Sequence, residues 1–160
     1  MRFFIACIGR MKAGADKDLF DRYIDRARKM GRGMGVTEIS LVEHPESRAQ
    51  TADERKSEEA SVLLNGVPSG ARLVVLDEHG KSFPSIAFSQ KLEDWKNEGA
   101  QDVVFAIGGA DGHGAGLLAR ADLKIAFGAM TWPHQMVRIM LSEQIYRALT
   151  IQAGHPYHRG

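Results

Sequence analysis

The sequence predicts an α/β fold, a mainly parallel sheet flanked by helices, and three observations carry that expectation. Short apolar runs rich in Val, Ile, Leu and Phe alternate with amphipathic segments from one end of the chain to the other, the pattern of strands buried between helical layers. The chain has 160 residues, enough for one domain that buries about 70% of the surface its unfolded form exposes. Its 44% hydrophobic and 26% charged residues exclude a disordered or fibrous protein. No internal repeat, linker or low-complexity stretch interrupts the pattern, so residues 1–160 are read as a single domain.

Residues 3–8 form the first predicted strand. Over residues 16–29, Leu19, Phe20, Tyr23, Ile24 and Ala27 recur at spacings of three and four and build one apolar helix face. Asp16 or Asp18 would cap this helix, and Gly31, Gly33 and Gly35 would stop it. Its other faces carry Arg22, Arg26, Arg28 and Lys29, with Arg32 just beyond, the densest basic patch in the chain. That patch is either a solvated face balanced by Asp21, Asp25 and the helix dipole, or a contact for RNA phosphates. A second strand is expected over 36–42 and a loop over 43–48. The helix over 51–64 opens on Thr51-Ala52-Asp53-Glu54, a capping box, and ends at Asn65-Gly66-Val67-Pro68. Strands at 73–76, 103–107 and 123–127 and helices at 85–97, 114–121 and 133–149 complete the alternation.

The balance of 21 basic and 20 acidic residues, a net charge of +1, disfavours nucleic-acid binding by bulk charge, so any such contact is local. No apolar run reaches the roughly 18 residues of a membrane-spanning helix, and no small-residue cleavage site follows the apolar start, so a cytoplasmic protein is expected. Cys7, alone within an apolar strand, reads as a buried structural thiol. Ligands of open parallel sheets bind beyond the carboxyl ends of the strands, which singles out three runs, 76–81, 107–114 and 127–134. In the first, Gly80-Lys81-Ser82 resembles the end of a phosphate-binding loop, but Val75 stands where that loop needs its first glycine. In the second, Gly114-Ala115-Gly116-Leu117-Leu118-Ala119 fits a loose dinucleotide pattern, without the carboxylate about 20 residues on that would hold a ribose. The six histidines come with no cysteine pair and no His-Glu-x-x-His helix, so no metal is expected. No Gly-x-Ser-x-Gly elbow points to hydrolysis.

The last fifth of the chain is the most unusual. Pro133 suits the first turn of a helix, and Glu143 pairs with Arg147 four residues on. Met136, Val137, Met140, Leu141, Ile145 and Ala148 would pack on the sheet. Ile139 and Tyr146 then form a second apolar stripe, which either meets a partner subunit or marks a helix buried on several sides. Beyond it, His155-Pro156-Tyr157-His158-Arg159 is either a frayed terminus or a functional tail. Two imidazoles, a phenol and a guanidinium within five residues suit base stacking, phosphate pairing and proton transfer.

Four motifs run in order from about residue 72 to the end: Leu76-Asp77-x-x-Gly80-Lys81, Ile107-Gly108-Gly109-x-x-Gly112, Met130-Thr131-x-Pro133-His134-x-x-Val137-Arg138, and Glu143-Gln144-Ile145-Tyr146-Arg147-Ala148 leading into the tail. In these the chain closely resembles the ribosomal RNA large-subunit methyltransferase H family, a small single-domain branch of the SPOUT (trefoil-knotted) methyltransferases. The resemblance implies an S-adenosylmethionine-dependent enzyme that methylates N3 of a pseudouridine in large-subunit rRNA. It implies a deep C-terminal trefoil knot over about residues 72–160, a rare exception to the rule against knotted chains, and a homodimer whose site is completed by the other subunit. Carried onto matching positions, the cofactor contacts would be Leu76, Gly108, Phe127, Gly128, Ala129, Met130, Thr131 and Trp132, many of them through backbone groups. Met130 and Trp132 stand where many relatives have an aliphatic residue. His155, Tyr157, His158 and Arg159 become the expected catalytic tail, and Arg22, Arg26, Lys29 and Arg138 the expected RNA contacts. A near-neutral net charge is consistent with an assembled ribosome as substrate, recognised over a large shaped surface. Two rival readings stand beside this one. A non-catalytic RNA-binding or ribosome-assembly protein on the same fold would bind ribosomes without cofactor, and a nicotinamide enzyme would bind a dinucleotide.

Overall fold

Alternation along the strands decides which layer each side chain joins. In the computed structural model, which describes residues 1–160, strands β1 (Arg2–Ile8), β2 (Glu38–His44), β3 (Arg72–Lys81), β4 (Asp102–Ile107) and β5 (Leu123–Ile125) form one sheet. The sheet is parallel throughout, in the order β2-β1-β4-β3-β5. The connecting helices are α1 (Ala15–Arg32), α2 (Ala52–Asn65), α3 (Ser85–Asn97) and α4 (Ala115–Arg120), and α5 (His134–Gln152) follows the last strand. Phe3, Ile5 and Cys7 of β1, Val74 and Leu76 of β3, and Val103, Phe105 and Ile107 of β4 point to the face covered by α1, α3 and α5. Their neighbours Ala6, Ile8, Leu73, Val75, Val104 and Ala106 point to the face covered by α2 and α4. The first core holds 24 buried residues and the second 10, so most of the apolar stabilisation rests on the α1, α3 and α5 layer. Cys7 is buried there, and burial pushes its thiol up to about 12.

Several local expectations need revision. Neither Asp16 nor Asp18 caps α1. Gly14 occupies that position with no side-chain bond, and the two carboxylates act through the helix dipole from the first turn. Gly31 lies inside α1, where a Cβ would meet Val36 Cβ at 3.1 Å, and Gly33 is the C-cap. Thr51 caps α2 as expected, its hydroxyl accepting from the Glu54 amide at 3.1 Å. Strand β3 does not stop at Leu76. After a register shift it runs on to Lys81, which pairs with Ile125 of β5, so residues 77–81 are extended chain and not an open loop. Gly80 permits the approach, because a Cβ there would lie 2.7 Å from the Ile125 nitrogen and the Lys124 carbonyl carbon. Of the two readings of Ile139 and Tyr146, the helix buried on several sides is the one found. The two residues are 6% and 8% exposed, since α5 packs against both α1 and α3 and Tyr157 of the tail covers Tyr146.

Candidate active site

At the carboxyl ends of β3, β4 and β5 the connecting segments leave a cleft of about 430 Å³. Its walls are the β3 extension from Leu76 to His79, the β4–α4 loop from Ile107 to His113, the 125–132 segment after β5, and His134 and Val137 of α5. Every expected cofactor residue lines it except Ala129. Hydrogen bonds fix the walls. The Trp132 indole N–H donates to the Phe127 carbonyl at 2.9 Å, and the Thr131 hydroxyl donates to Glu78 Oε2 at 3.0 Å, tying the post-β5 loop to the β3 extension. Arg55 of α2 grips Asp111 with two guanidinium nitrogens at 2.7 and 3.3 Å, and this bond holds the Asp111 carboxyl below its ordinary range.

Residues beyond the expected set belong to the same cleft. His113 donates from Nε2 to the Leu76 carbonyl at 2.8 Å, and its ring lies against Gly108. Burial lowers its pKa from the usual histidine value, offset in part by the bond to Leu76 and by Asp77. Lys56, Asp77, Glu78 and Asp111 add charge to the lining, where the carboxylates outnumber the single ammonium. The signal available in sequence was position alone, since His113 and Asp111 follow β4 within the glycine-rich run singled out there.

The tail docks elsewhere. Tyr157 packs edge-on against Tyr146 with centroids 4.7 Å apart, and Arg147 lies over its ring at 4.8 Å. The Tyr157 hydroxyl donates to Glu143 Oε1 at 2.9 Å, and Arg147 donates to the same oxygen at 2.6 Å. Burial first, then the bond to Glu143, pushes the Tyr157 phenol up to about 12. His155 and His158 flank it, each accepting through Nδ1, from the Tyr157 amide at 3.1 Å and from Arg147 Nη1 at 3.2 Å respectively. Arg159 is exposed. Arg26 of α1 lies 6.0 Å from the Tyr146 ring, so α1 and the tail share one surface on which Arg22, Arg26 and Lys29 are exposed. On α5 the cleft reaches His134 and Val137, and the tail touches Glu143, Tyr146 and Arg147; Val137 and Glu143 are six positions apart on the helix, about 9 Å along the axis. Within one chain no residue of the tail lines the cleft.

Arg138 is corrected outright as an RNA contact. It is 2% exposed. Its Nη1 donates to Glu43 Oε2 at 2.8 Å, and its Nη2 donates to the carbonyls of Ile8 and Gly9 at 3.1 and 2.8 Å. The guanidinium ties α5 to the end of β1, and its remaining Nε is buried without a partner, out of reach of a phosphate.

No helix is long and apolar enough to cross a membrane, and no cluster of three or more His, Cys, Asp or Glu side chains could hold a metal ion. The family model described as "Predicted SPOUT methyltransferase" matches residues 1–158. A protein of Nitrobacter hamburgensis named Ribosomal RNA large subunit methyltransferase H is 52% identical over 160 residues, 100% of each chain. One of the same name from Bradyrhizobium diazoefficiens is 50% identical over 159 residues, 99% of each. Among solved structures, "a probable methylase family protein" of Haemophilus influenzae superposes with a TM-score of 0.51 at 13% identity, over 99% of this chain and 70% of that one, a likeness of fold alone. A match that takes in every strand and helix, with half the residues shared with full-length relatives, places the chain in the SPOUT methyltransferase family.

Proposed function

We propose that this protein transfers the methyl group of S-adenosylmethionine to N3 of a pseudouridine in large-subunit ribosomal RNA, acting on assembled ribosomes in the cytoplasm. The observation that carries the reading is the convergence of Leu76, Gly108 and the 127–132 loop on one cleft at the carboxyl end of the sheet. The residues present fit the cofactor. The volume is that of a small-ligand site, Ile107, Phe127, Met130, Trp132 and Val137 offer apolar surface for a purine, and the excess of Asp77 and Glu78 over Lys56 suits a ligand whose sulfonium and ammonium outweigh its carboxylate. The names of the relatives support the substrate class.

The tail supplies the second half of the site in this reading. Because no tail residue lines the cleft of its own chain, a second copy is a way to bring the two together, which supports a homodimer with a shared site. A knotted C-terminal segment belongs to the same reading. Bound S-adenosylmethionine supplies a methyl group already activated on a sulfonium, so the chain's main task is alignment. N3 must lose its proton for the N–C bond to form, and with both histidine Nδ1 atoms engaged that proton passes to solvent water. With Nδ1 of both His155 and His158 engaged as acceptors, each neutral imidazole carries its proton on Nε2. Those two N–H groups and the Arg159 guanidinium are donors suited to a nitrogen becoming anionic. Tyr157, held by Glu143, orients the tail and is no phenolate at neutral pH.

The test is methyl transfer from labelled S-adenosylmethionine to ribosomes bearing pseudouridine or plain uridine at the target loop. Transfer that requires the pseudouridine is the expected result. Binding to ribosomes with no transfer to either particle would replace this reading with a non-catalytic one.

A further inference from the structure

Three imidazoles line the cleft, His79, His113 and His134, and neither the tail mechanism nor the expected cofactor contacts use any of them. His113 is seated by two features. Its Nε2–H donates to the Leu76 carbonyl at 2.8 Å, and residue 108 has no side chain, where a Cβ would stand 2.9, 3.0 and 3.3 Å from the Cε1, Nδ1 and Nε2 atoms of the ring. The ring is thereby locked between the ends of β3 and β4. Donation from Nε2 makes Nδ1 the acceptor of the neutral imidazole. Nδ1 makes no hydrogen bond within the chain, although the residue lines the cleft.

We infer that His113 reads the bound cofactor, its Nδ1 accepting a hydrogen bond from an uncharged donor on the nucleoside half, the adenine amino group or a ribose hydroxyl. The inference rests on the methyltransferase reading above. An uncharged donor is favoured because the ligand's ammonium has better partners in Asp77 and Glu78, which line the same cleft. Protonation turns Nδ1 from acceptor to donor and adds positive charge beside a cationic ligand, so binding requires the neutral ring. The lowered pKa of His113 keeps it neutral at pH 7. The charged and titratable groups sharing its surroundings are Asp77, Glu78 and His79 on β3, Lys56 on α2, Asp111 on its own loop and His134 on α5.

The experiment is calorimetric titration of the full-length protein with S-adenosylhomocysteine and with 5′-methylthioadenosine, which lacks the amino-acid end, between pH 5 and 8. Wild-type affinity for both should be level near pH 8 and fall up to tenfold per pH unit once His113 protonates. His113→Gln, whose amide both donates and accepts, should bind within a few-fold of wild type at pH 8 and lose the pH dependence. His113→Leu should bind about tenfold more weakly at pH 8, and His134→Gln should keep the wild-type slope. Survival of that slope in His113→Gln, or a slope for S-adenosylhomocysteine but not for methylthioadenosine, would overturn the inference while leaving the methyltransferase reading standing. Failure of the wild type to bind either ligand at any pH would overturn both.

Discussion

Replacing Arg138 by alanine separates a structural role from an RNA-binding one. The side chain is 2% exposed and makes three hydrogen bonds, one to the Glu43 carboxylate and two to the carbonyls of Ile8 and Gly9. Removing one member of a buried ion pair costs about 3–5 kcal/mol, because the remaining charge and acceptors stay behind unpaired. Glu43 is 25% exposed at its side chain and still accepts from the Met11 amide at 2.7 Å, so part of its charge can be hydrated and the cost sits near the lower end, about 3 kcal/mol. For a chain of this length that is a fall in Tm of roughly 6–12 °C. Urea unfolding at a fixed protomer concentration, with an unchanged m-value, measures it. Arg138→Met combined with Glu43→Gln should recover part of the loss, since no charge is then stranded. A variant as stable as wild type to within about 0.5 kcal/mol yet weakened in ribosome binding would refute the structural assignment.

Three further outcomes follow from the tail and from α1. The Tyr157 phenol, with its pKa raised from 10.0 to about 12, contributes stability that is full below the unfolded value and is lost as pH rises through the folded one. Phenolate absorbance should therefore show one tyrosine titrating near pH 12, and Glu143→Gln should bring it down. Truncation after Gly154 should leave the fold and cofactor affinity intact while abolishing methyl transfer; full transfer rates in the truncated protein would remove the tail from the mechanism. Replacing Arg22, Arg26 and Lys29 together by alanine should lower the salt slope of ribosome binding by about 2–3, close to one per lost phosphate contact, and an unchanged slope would assign these side chains to solvent.

The strands and the amphipathic helices were legible because their signals are local. Ser85–Asn97 begins and ends where its pattern does, and β4 is apolar because both its faces are covered. The failures share one cause, partners distant in sequence. Arg138 on an amphipathic helix reads as surface because its carboxylate partner is 95 residues away. The strand reads as ending at residue 76 because the strand that residues 77–81 join, β5, comes more than forty residues later. Tyr146 leaves a partner contact and burial within the chain both open, because its cover is a tail that composition marks as polar. The cleft was least legible of all from residues alone, since glycines and backbone carbonyls leave no side-chain signature. Its expected members entered with the family resemblance, and that resemblance passed over His113.

Whether the cleft and the tail of one catalytic unit come from different chains can be decided by mixing two inactive proteins. Gly108→Val fills the seat of the His113 ring, where even a Cβ approaches within 2.9 Å, and so closes the cleft while leaving untouched the tail, which does not line it. Arg159→Ala removes an exposed tail cation and leaves the cleft open. Each protein alone should be inactive or nearly so. If subunits exchange at random in an equimolar mixture, half of the dimers are mixed, and each mixed dimer holds one intact unit, the cleft of the Arg159→Ala chain with the tail of the Gly108→Val chain. Activity should then return to about a quarter of wild type, the product of those two halves. A site built within one chain gives no recovery at all, because every chain in the mixture lacks either its cleft or its tail. Recovery thus distinguishes a shared site from two self-sufficient ones by its presence, and its size measures whether both halves of the dimer work independently.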